Sequence, residues 1–185
     1  ENLLLHTFDE SLKSQIEELL ILGKSAGADL VEVFLEKSDN ISLLAEQEDI
    51  SNVSPSFGIG AGIRVFLEKK DGFVSTNDLS NAGLLFALHQ ALRMLGLEAG
   101  SKNIDVFDGL GDFKDFGAKK NEWLDISPNI QESTFKLLDA TKLLKHKNKN
   151  LQVRRASYSR NWQEVLVAAS DGVFARDIRL HQTVG

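Results

Sequence analysis

Residues 56–78, which read SFGIGAGIRVFLEKKDGFVSTND, constrain the fold of this chain more than any other stretch. Side chains alternate between two faces from Ile63 to Glu68, with aliphatic residues on one face, which predicts a strand. Residues 69–72 predict a tight turn, because Asp-Gly supplies the positive φ that hairpin turns require. Residues 73–76 form the returning strand, so the stretch predicts a β-hairpin. Three alternating glycines lead into it: Gly58, Gly60 and Gly62.

The glycines also invite comparison with a dinucleotide-binding loop, since Asp78 follows Gly58 by 20 residues. Such a loop requires a strand before the glycines and a helix after them. Here a strand follows the glycines, and Asp78 lies in the turn into a helix. The glycines are therefore interpreted as residues that permit either a β-bulge or close backbone packing.

The residues around the hairpin predict an α+β unit over residues 1–100. Helical spacing of Leu and Ile predicts a helix over residues 9–24, and alternation predicts strands at 28–37 and 41–48 with a Ser-Asp-Asn turn between them. Ser80 is a suitable N-cap for a second helix after the hairpin. The order α-β-β-β-β-α favours a mostly antiparallel sheet with helices packed on one face.

Residues 101–124 are interpreted as an acidic linker rich in Gly and Asp that joins two sub-units. The linker nevertheless contains three aromatic residues, Phe107, Phe113 and Phe116. A free linker does not normally carry three phenylalanines, so we expect these rings to pack onto a neighbouring unit.

Residues 125–185 predict a helix followed by a β-meander. Ser127-Pro128 is a favourable helix start, with Ser as N-cap and Pro in the first turn. Turns at 159–162 and 170–172 divide the remainder into three strands. The chain stops near the last strand without a helix cap or polar tail, so we expect it to be a truncated part of a longer protein.

Composition limits the functions that are open to the chain. The net charge is −6; residues 1–100 hold 7 Lys and Arg against 16 Asp and Glu, whereas residues 101–185 hold 14 against 11. An acidic total argues against direct nucleic-acid binding.

No apolar run reaches the ~18 residues of a membrane span and no secretory signal is visible, so we expect a cytoplasmic protein without membrane contact. The lack of cysteine excludes thiolate metal sites and cysteine nucleophiles.

The sequence shows no catalytic centre. Its four histidines are too far apart for a helix-borne metal pair: His6, His89, His146 and His181. No G-x-S-x-G motif is present. Paired carboxylates such as Asp112 and Asp115 lie in a loop, where solvation explains them better than acid–base catalysis.

A basic run without any acidic residue extends over residues 142–155. Its members are Lys142, Lys145, Lys147, Lys149, Arg154 and Arg155. Lysines near a helix C-terminus interact favourably with the helix dipole, so a solvated face is the first interpretation. The alternative is a surface for nucleic acid or for an acidic partner such as gyrase; an acidic partner would make the chain a stand-alone protein-binding module. Aromatic side chains are not interleaved with the run, which argues against stacking on nucleic acid.

The hairpin stretch also resembles the N-terminal domain of the TldD/PmbA family, whose members are labelled modulators of DNA gyrase and classed as metallopeptidases. The family pattern is a G-x-G-x-R-V strand, a glycine turn, an aromatic-led strand and a helix opened by Leu-Ser. The matching residues are Gly60, Gly62, Arg64, Val65, Gly72, Phe73, Leu79 and Ser80. The segment LVAASDGVFARDIRLHQTVG is similar to a strand–turn–strand of the TldD branch in particular.

The resemblance implies that this chain is the non-catalytic N-terminal portion of a zinc metallopeptidase. Family members are longer, and their H-E-x-x-x-H zinc motif lies in the later half; this sequence lacks the motif, so no catalytic residue, metal ligand or cofactor is implied here. The resemblance further implies a peptide or unfolded-protein substrate, a PmbA-type (TldE) partner subunit or a self-dimer, and an indirect link to gyrase. The N-terminal portion would contribute a wall of the cleft and the partner interface.

Overall fold

The structure is a computed structural model that describes residues 8–98, 107–117, 129–148 and 150–185. The described helices and strands have the following bounds in chain order: a 3₁₀ turn Glu10–Leu12, α1 Lys13–Ser25, β1 Leu30–Glu46, β2 Asp49–Leu67, β3 Lys70–Thr76, α2 Asn81–Met94, β4 Lys114–Asp115, α3 Ile130–Lys147, β5 Arg155–Ala169 and β6 Phe174–Val184. The strands form one mixed, mostly antiparallel sheet in the order β3-β2-β1-β5-β6-β4. The predicted α+β fold class is confirmed.

The chain divides into two compact units, each built from segments that are not consecutive in sequence. Unit 1 comprises residues 1–37, 59–116 and 164–177, and unit 2 comprises residues 38–58, 117–163 and 178–185. The core of unit 1 joins α1 and α2 to one face of its strands, through side chains that include Leu19, Val33, Ile63, Leu88 and Leu166. Unit 2 has a smaller core, formed by Ile41, Leu43, Ala45, Leu137 and Ala156.

One long strand, β1, replaces the two strands that were predicted at 28–37 and 41–48. Buried side chains occupy odd-numbered positions on both sides of residues 38–40, from Val31 to Ala45. Because the side-chain period of a strand is two residues, an unchanged phase means that the backbone stays extended through this segment. The predicted Ser-Asp-Asn turn is therefore wrong, and over residues 8–80 the structure has three strands rather than four before α2.

The turn between β1 and β2 lies at Gln47 and Glu48, which adopt φ angles of 54° and 75°. A two-residue loop with positive φ at both positions matches a type I′ hairpin turn, which usually selects Asn or Gly. The turn contains neither residue, so it gives no recognisable signal in the sequence. Contacts outside the turn support it instead: the Gln47 N–H donates to the Arg154 carbonyl at 3.1 Å.

The hairpin of β2 and β3 is present, but its turn lies at Glu68 and Lys69 instead of residues 69–72. Glu68 adopts a φ of 55°. The carboxylate of Asp29 accepts a hydrogen bond from the Glu68 N–H. A side chain that precedes β1 therefore helps to fix the turn, which a local sequence pattern does not indicate.

Gly72 is a strand residue and was wrongly predicted as a turn residue. Asp71 and Gly72 belong to β3, where they pair with Phe66 and Val65 of β2. A Cβ atom at Gly72 would overlap the backbone carbonyl of Ala91 on α2. The residue is therefore required for close packing of the helix on the strand.

Side-chain caps fix the starts of α2 and α3. The Ser80 hydroxyl accepts a hydrogen bond from the Gly83 N–H at 3.2 Å, which confirms Ser80 as the N-cap of α2. At α3, the N-cap is Asn129, whose side-chain oxygen accepts from the Glu132 N–H at 3.1 Å. In the described residues α3 begins at Ile130; the predicted start at residues 127–128 lies outside the described part of the chain. None of the helices in the described ranges is long and apolar enough to cross a membrane.

β5 runs without interruption through residues 159–162, so the predicted first turn of the meander is wrong. The polar residues of this segment stay extended, and the Arg160 guanidinium lies 4.0 Å from the Asp39 carboxylate. The second turn, at residues 170–172, is confirmed, and Gly172 adopts a φ of 100°. The meander therefore contains two strands rather than three.

The structure describes the predicted linker only over residues 107–117. Within this range, β4 pairs in parallel with β6. Phe107 and Phe113 pack against the core of unit 1, and the Phe113 ring lies 4.9 Å from that of Phe174. Phe116, by contrast, is 62% exposed.

Candidate functional site

Strand alternation divides the motif residues of the hairpin between the two faces of the unit 1 strands. Val65 and Gly72 are buried on the side that carries α2. Arg64 and Phe73 are cross-strand partners on the opposite side. Their side chains are 47% and 48% exposed. Leu79 and the cap residue Ser80 lie at the start of α2.

The exposed side of these strands forms a shallow depression of about 270 Å³. We name this surface the open face. It draws side chains from four strands, and its main members are Glu32, Phe34, Gly62, Arg64, Phe73 and Val167. Aromatic and aliphatic groups therefore surround a single arginine on a surface supported by hydrogen-bonded strands.

Aromatic rings position Arg64 on the open face. Its guanidinium carbon lies 5.3 Å from the ring centroid of Phe73 and 5.9 Å from that of Phe66. Its Nε atom lies 3.5 Å from a carboxylate oxygen of Asp71. Cation–π contacts at exposed sites contribute about 0.5–1 kcal/mol each. The two rings and the carboxylate therefore hold the guanidinium at the surface in a defined place.

The glycines of the hairpin make this packing possible. A Cβ atom at Gly62 would lie 2.9 Å from the Phe73 ring, so a larger residue would displace that ring from the open face. A Cβ atom at Gly60 would lie 3.1 Å from the backbone oxygen of Thr76. These contacts support the interpretation that the glycines serve close strand packing.

A second arrangement, on the helix side of unit 1, was not predicted from the sequence. Four charged residues from four neighbouring strands alternate in sign: Lys37 on β1, Glu164 on β5, Arg176 on β6 and Asp115 on β4. We name this row the charge ladder. Glu164 is fully buried, and Lys37 and Arg176 are only 4% and 6% exposed.

Glu164 is the centre of the charge ladder. One of its carboxylate oxygens, Oε1, accepts hydrogen bonds from Arg176 Nε at 2.7 Å and from the Phe8 N–H at 2.8 Å. Arg176 Nη1 also donates to Asp115 at 2.8 Å. The other carboxylate oxygen of Glu164 has no hydrogen-bond partner among the described residues. The carboxylate therefore joins the strands to the backbone that precedes α1.

Lys37 completes the charge ladder next to Phe8. Its Nζ atom lies 4.3 Å from the centroid of the Phe8 ring. Burial lowers the pKa of Lys37, and the nearby carboxylate of Glu164 partly opposes this change. The carboxylate of Glu164 thus compensates the positive charge of the buried Lys37.

An acidic residue of unit 2, Glu48, compensates the positive charge of two members of the basic run. Lys145 Nζ lies 2.6 Å from Glu48 Oε1, and Arg154 Nη2 lies 3.7 Å from the same oxygen. Glu48 belongs to the turn between β1 and β2, so the basic run helps to hold that turn. Lys147, at the end of α3, is exposed.

The other members of the basic run also lie near acidic residues. Arg155 Nη2 is 3.2 Å from Glu46 Oε1, and Lys142 Nζ is 3.6 Å from Asp139 Oδ1. Lys149 lies outside the described residues. The sequence shows no acid within the run, but the fold brings acids to it. A free basic surface is therefore smaller than the sequence indicates.

Replacing Glu48 with glutamine is expected to destabilise the protein at neutral pH and to have little effect in acid. The hydrogen bond from Lys145 is the main reason that the pKa of Glu48 lies below its usual value. A carboxyl group whose folded pKa is lowered stabilises the fold above its unfolded pKa and loses that effect as the pH falls through its folded pKa. Urea unfolding of Glu48→Gln and the native chain at pH 7 and at about pH 3 measures the difference.

The matched control for this experiment is Asp112→Asn, which removes an exposed carboxylate from the loop before β4. This variant is expected to follow the native chain at both pH values. An equal loss of stability for Glu48→Gln at neutral and acid pH would contradict the role assigned to the Lys145 contact.

The described residues do not provide a zinc site of the kind that the resemblance implies for a longer protein. Within those residues, no group of three His, Asp or Glu side chains is arranged to hold a metal ion. His89, His146 and His181 belong to α2, α3 and β6, whereas His6 lies outside the described residues.

Comparison with known proteins gives one family match and several similar structures. Residues 31–95 match the family model described as PmbA/TldA metallopeptidase domain 1. TldE from Thermococcus kodakarensis has a similar fold, with a TM-score of 0.67 and 22% identity over 92% of this chain and 39% of that one. A proposed modulator of a DNA gyrase from Thermotoga maritima has a TM-score of 0.66 and 13% identity, over 94% and 38% of the two chains. A search of curated proteins gave no match.

These structural similarities concern the fold, because the sequence identities are low. The chain spans about two fifths of the length of each of these two solved structures. The family match covers three of the four strands that build the open face and one helix behind them: most of β1, all of β2 and β3, and α2. The sequence and structure comparisons therefore agree on the part of unit 1 around the hairpin.

Proposed function

We propose that this chain is the non-catalytic N-terminal portion of a TldD/PmbA-type metallopeptidase, because residues 31–95 match the model of the family's first domain. The longer protein would act in the cytoplasm on peptides or unfolded proteins, with zinc and the catalytic residues held outside this chain. The chain itself would contribute a wall of the cleft and an interface to a PmbA-type subunit or to a second copy.

The open face is the observation that supports the interface role. Phe34, Phe73 and Arg64 are exposed together on strands whose opposite side is buried in the core of unit 1. Aromatic residues and arginine are the types enriched at protein–protein interfaces and among the residues that dominate binding energy. Charged residues other than arginine are depleted at the centres of such interfaces. Apart from Glu32, the composition of the open face therefore fits a protein partner.

The rigidity of the open face also favours a partner interface. Its side chains project from hydrogen-bonded strands, and Gly62 leaves the space that the Phe73 ring occupies. Binding to a surface that is already ordered costs less conformational entropy than ordering a loop. The depression is shallow, at about 270 Å³, and lies below the usual ~300–1,000 Å³ of a small-molecule pocket.

The basic run supports the alternative, a stand-alone binding module, less well. Lys145, Arg154 and Arg155 all lie within 4 Å of an acidic side chain of the same unit. A partner would have to compete with these internal contacts for the positive charge. The charge reversals Lys142→Glu and Lys147→Glu, made together, test this alternative in the assay described next.

Replacing Phe73 with alanine is expected to weaken binding to a PmbA-type subunit from the same organism at least ~10-fold. Truncating an aromatic residue at the centre of an interface commonly costs about 2 kcal/mol or more. Isothermal titration calorimetry measures this affinity, and light scattering after gel filtration measures self-association. Phe86→Ala is the matched control, because Phe86 is 65% exposed on α2.

Two outcomes of this experiment would contradict the proposal. Unchanged affinity of Phe73→Ala, with its fold confirmed by circular dichroism, would remove the open face from the interface. Loss of binding only in the Lys142 and Lys147 double variant would favour the stand-alone module. In the same preparation, added zinc is expected to produce no peptide cleavage; metal-dependent cleavage by this chain would overturn its non-catalytic role.

A further inference from the structure

A cavity of about 320 Å³ lies on the helix side of unit 1. It is enclosed by the segment before α1, by α1 itself, by β1 and β2, and by the start of α2. Its walls are mainly apolar and include Phe8, Leu12, Ile16, Leu35, Ile59 and Leu84. This volume lies at the lower end of the range for ligand pockets, about 300–1,000 Å³. It is large enough for a medium-sized apolar group.

The cavity continues into a polar groove. Ser11, Gln15 and Leu79 line both the cavity and a neighbouring depression. That depression extends along the first turns of two helices and is further lined by Ser14, Glu18, Ser80 and Asn81. An apolar hole thus opens directly into a surface of hydroxyl, amide and carboxylate groups. Binding sites for small ligands combine these two features, with polar groups that fix the orientation of an apolar body.

The electrostatics of the groove favour a basic ligand. Asp9 and Glu18 belong to the lining of the cavity and the groove, and Lys37 is the single cation among the described lining residues. Lys37 is buried, and Glu164 compensates its charge within the charge ladder. Residues 1–100 also hold 16 acidic against 7 basic residues. Oppositely charged ligands are attracted to such a surface, and the attraction falls with ionic strength.

We propose that the cavity and groove bind a peptide segment that carries one apolar side chain flanked by basic residues. The apolar side chain occupies the cavity among Leu12, Leu35 and Leu84. The peptide backbone forms hydrogen bonds in the groove, where Ser11 and Gln15 lie. The flanking cations lie near the carboxylates of Asp9 and Glu18.

This site does not depend on the interface proposed for the open face. Leu35 and Ile59 line the cavity, whereas Phe34 and Arg64 line the open face. Neighbouring odd- and even-numbered residues of a strand point to opposite sides of the sheet. The two sites therefore lie on opposite faces, and failure of one proposal leaves the other intact.

Fluorescence polarisation with short labelled peptides tests the proposal on the full chain. A peptide with Lys-Leu-Lys at its centre is expected to bind at least ~10-fold more tightly than matched peptides with Lys-Ser-Lys or Glu-Leu-Glu. Leu79→Trp, which fills the mouth of the cavity, is expected to weaken binding of the first peptide ~10-fold. Leu85→Trp within α2 is the control, because Leu85 lies outside the lining of the cavity and groove.

A charge reversal keeps the test decisive if Leu79→Trp alters the fold. Glu18 is exposed on α1, so Glu18→Lys is expected to fold normally. It should weaken binding of the Lys-Leu-Lys peptide and strengthen binding of the Glu-Leu-Glu peptide. Equal binding of all three peptides to the native chain, or no exchange of preference in Glu18→Lys, would overturn the proposal.

Discussion

Replacing Arg176 with methionine is expected to lower the free energy of unfolding by about 3–5 kcal/mol. Arg176 is buried and donates to both Glu164, at 2.7 Å, and Asp115, at 2.8 Å. Its removal leaves the buried carboxylate of Glu164 without its hydrogen-bonded cation. Removing one member of a buried ion pair destabilises a protein more than replacing both members with apolar residues. Urea unfolding followed by circular dichroism measures the change.

The double variant Glu164→Leu and Arg176→Met separates charge from packing. It removes both members of the closest pair, so part of the lost stability is expected to return, while Lys37 and Asp115 remain. Arg64→Met on the open face is the control, because exposed ion pairs contribute only about 0–1 kcal/mol. A loss below ~1 kcal/mol for Arg176→Met, or no recovery in the double variant, would contradict a structural role for the charge ladder.

Gly72→Ala is expected to have the second largest effect, a loss of about 3 kcal/mol in the free energy of unfolding. The new Cβ atom would overlap the carbonyl of Ala91, so α2 and β3 would have to separate. Because this carbonyl belongs to the backbone of α2, it cannot rotate away from the new Cβ atom as a flexible side chain could. Thermal and urea unfolding of the variant and the native chain measure the loss.

Alanine substitutions at Ser75 and Gly62 provide the comparisons for the stability of Gly72→Ala. Ser75→Ala changes an exposed residue of the same strand and is expected to stay within about 0.5 kcal/mol of the native chain. Gly62→Ala is expected to be intermediate, because its new Cβ would meet the Phe73 ring, which can move. A Gly72→Ala protein as stable as Ser75→Ala would show that α2 does not require the glycine.

The strands of the hairpin were predictable because apolar and polar side chains alternate along them as buried and exposed positions do. The position of the turn was not predictable. Asp71-Gly72 is a strong local turn signal, and no local rule distinguishes it from a glycine required by a helix. Here the contact with Ala91 places Gly72 in the strand. The true turn at Glu68 depends on Asp29, which is distant in sequence.

The two long strands were divided in the prediction because each contains a polar segment that is typical of a turn. In β1 the segment is residues 38–40, and in β5 it is residues 159–162. Arg160 lies 4.0 Å from Asp39, so the two segments face each other across the sheet of unit 2. A contact between residues this far apart in sequence gives no local pattern. In β1 the apolar residues that are buried keep to odd-numbered positions on both sides of residues 38–40. This unchanged alternation was the signal that indicated one strand instead of two.

The charge ladder was not predicted, although its members carry a recognisable signal. Lys37 follows Val33 and Leu35 in the same strand phase, and both of those residues are buried. Likewise, Arg176 lies between Phe174 and Ile178 on the buried phase of β6. A charged residue in phase with buried neighbours indicates a buried charge that needs a partner. The identity of that partner depends on strand order, which the sequence does not specify.

Site-specific photo-cross-linking tests the proposed role of the open face most directly. Benzoylphenylalanine replaces Phe73 in one protein and Phe86 in another, and each is irradiated with the PmbA-type subunit from the same organism. Cross-linking from position 73, with none from position 86, is the expected result. A complex that forms but cross-links only from position 86, or from neither position, would contradict an interface on the open face.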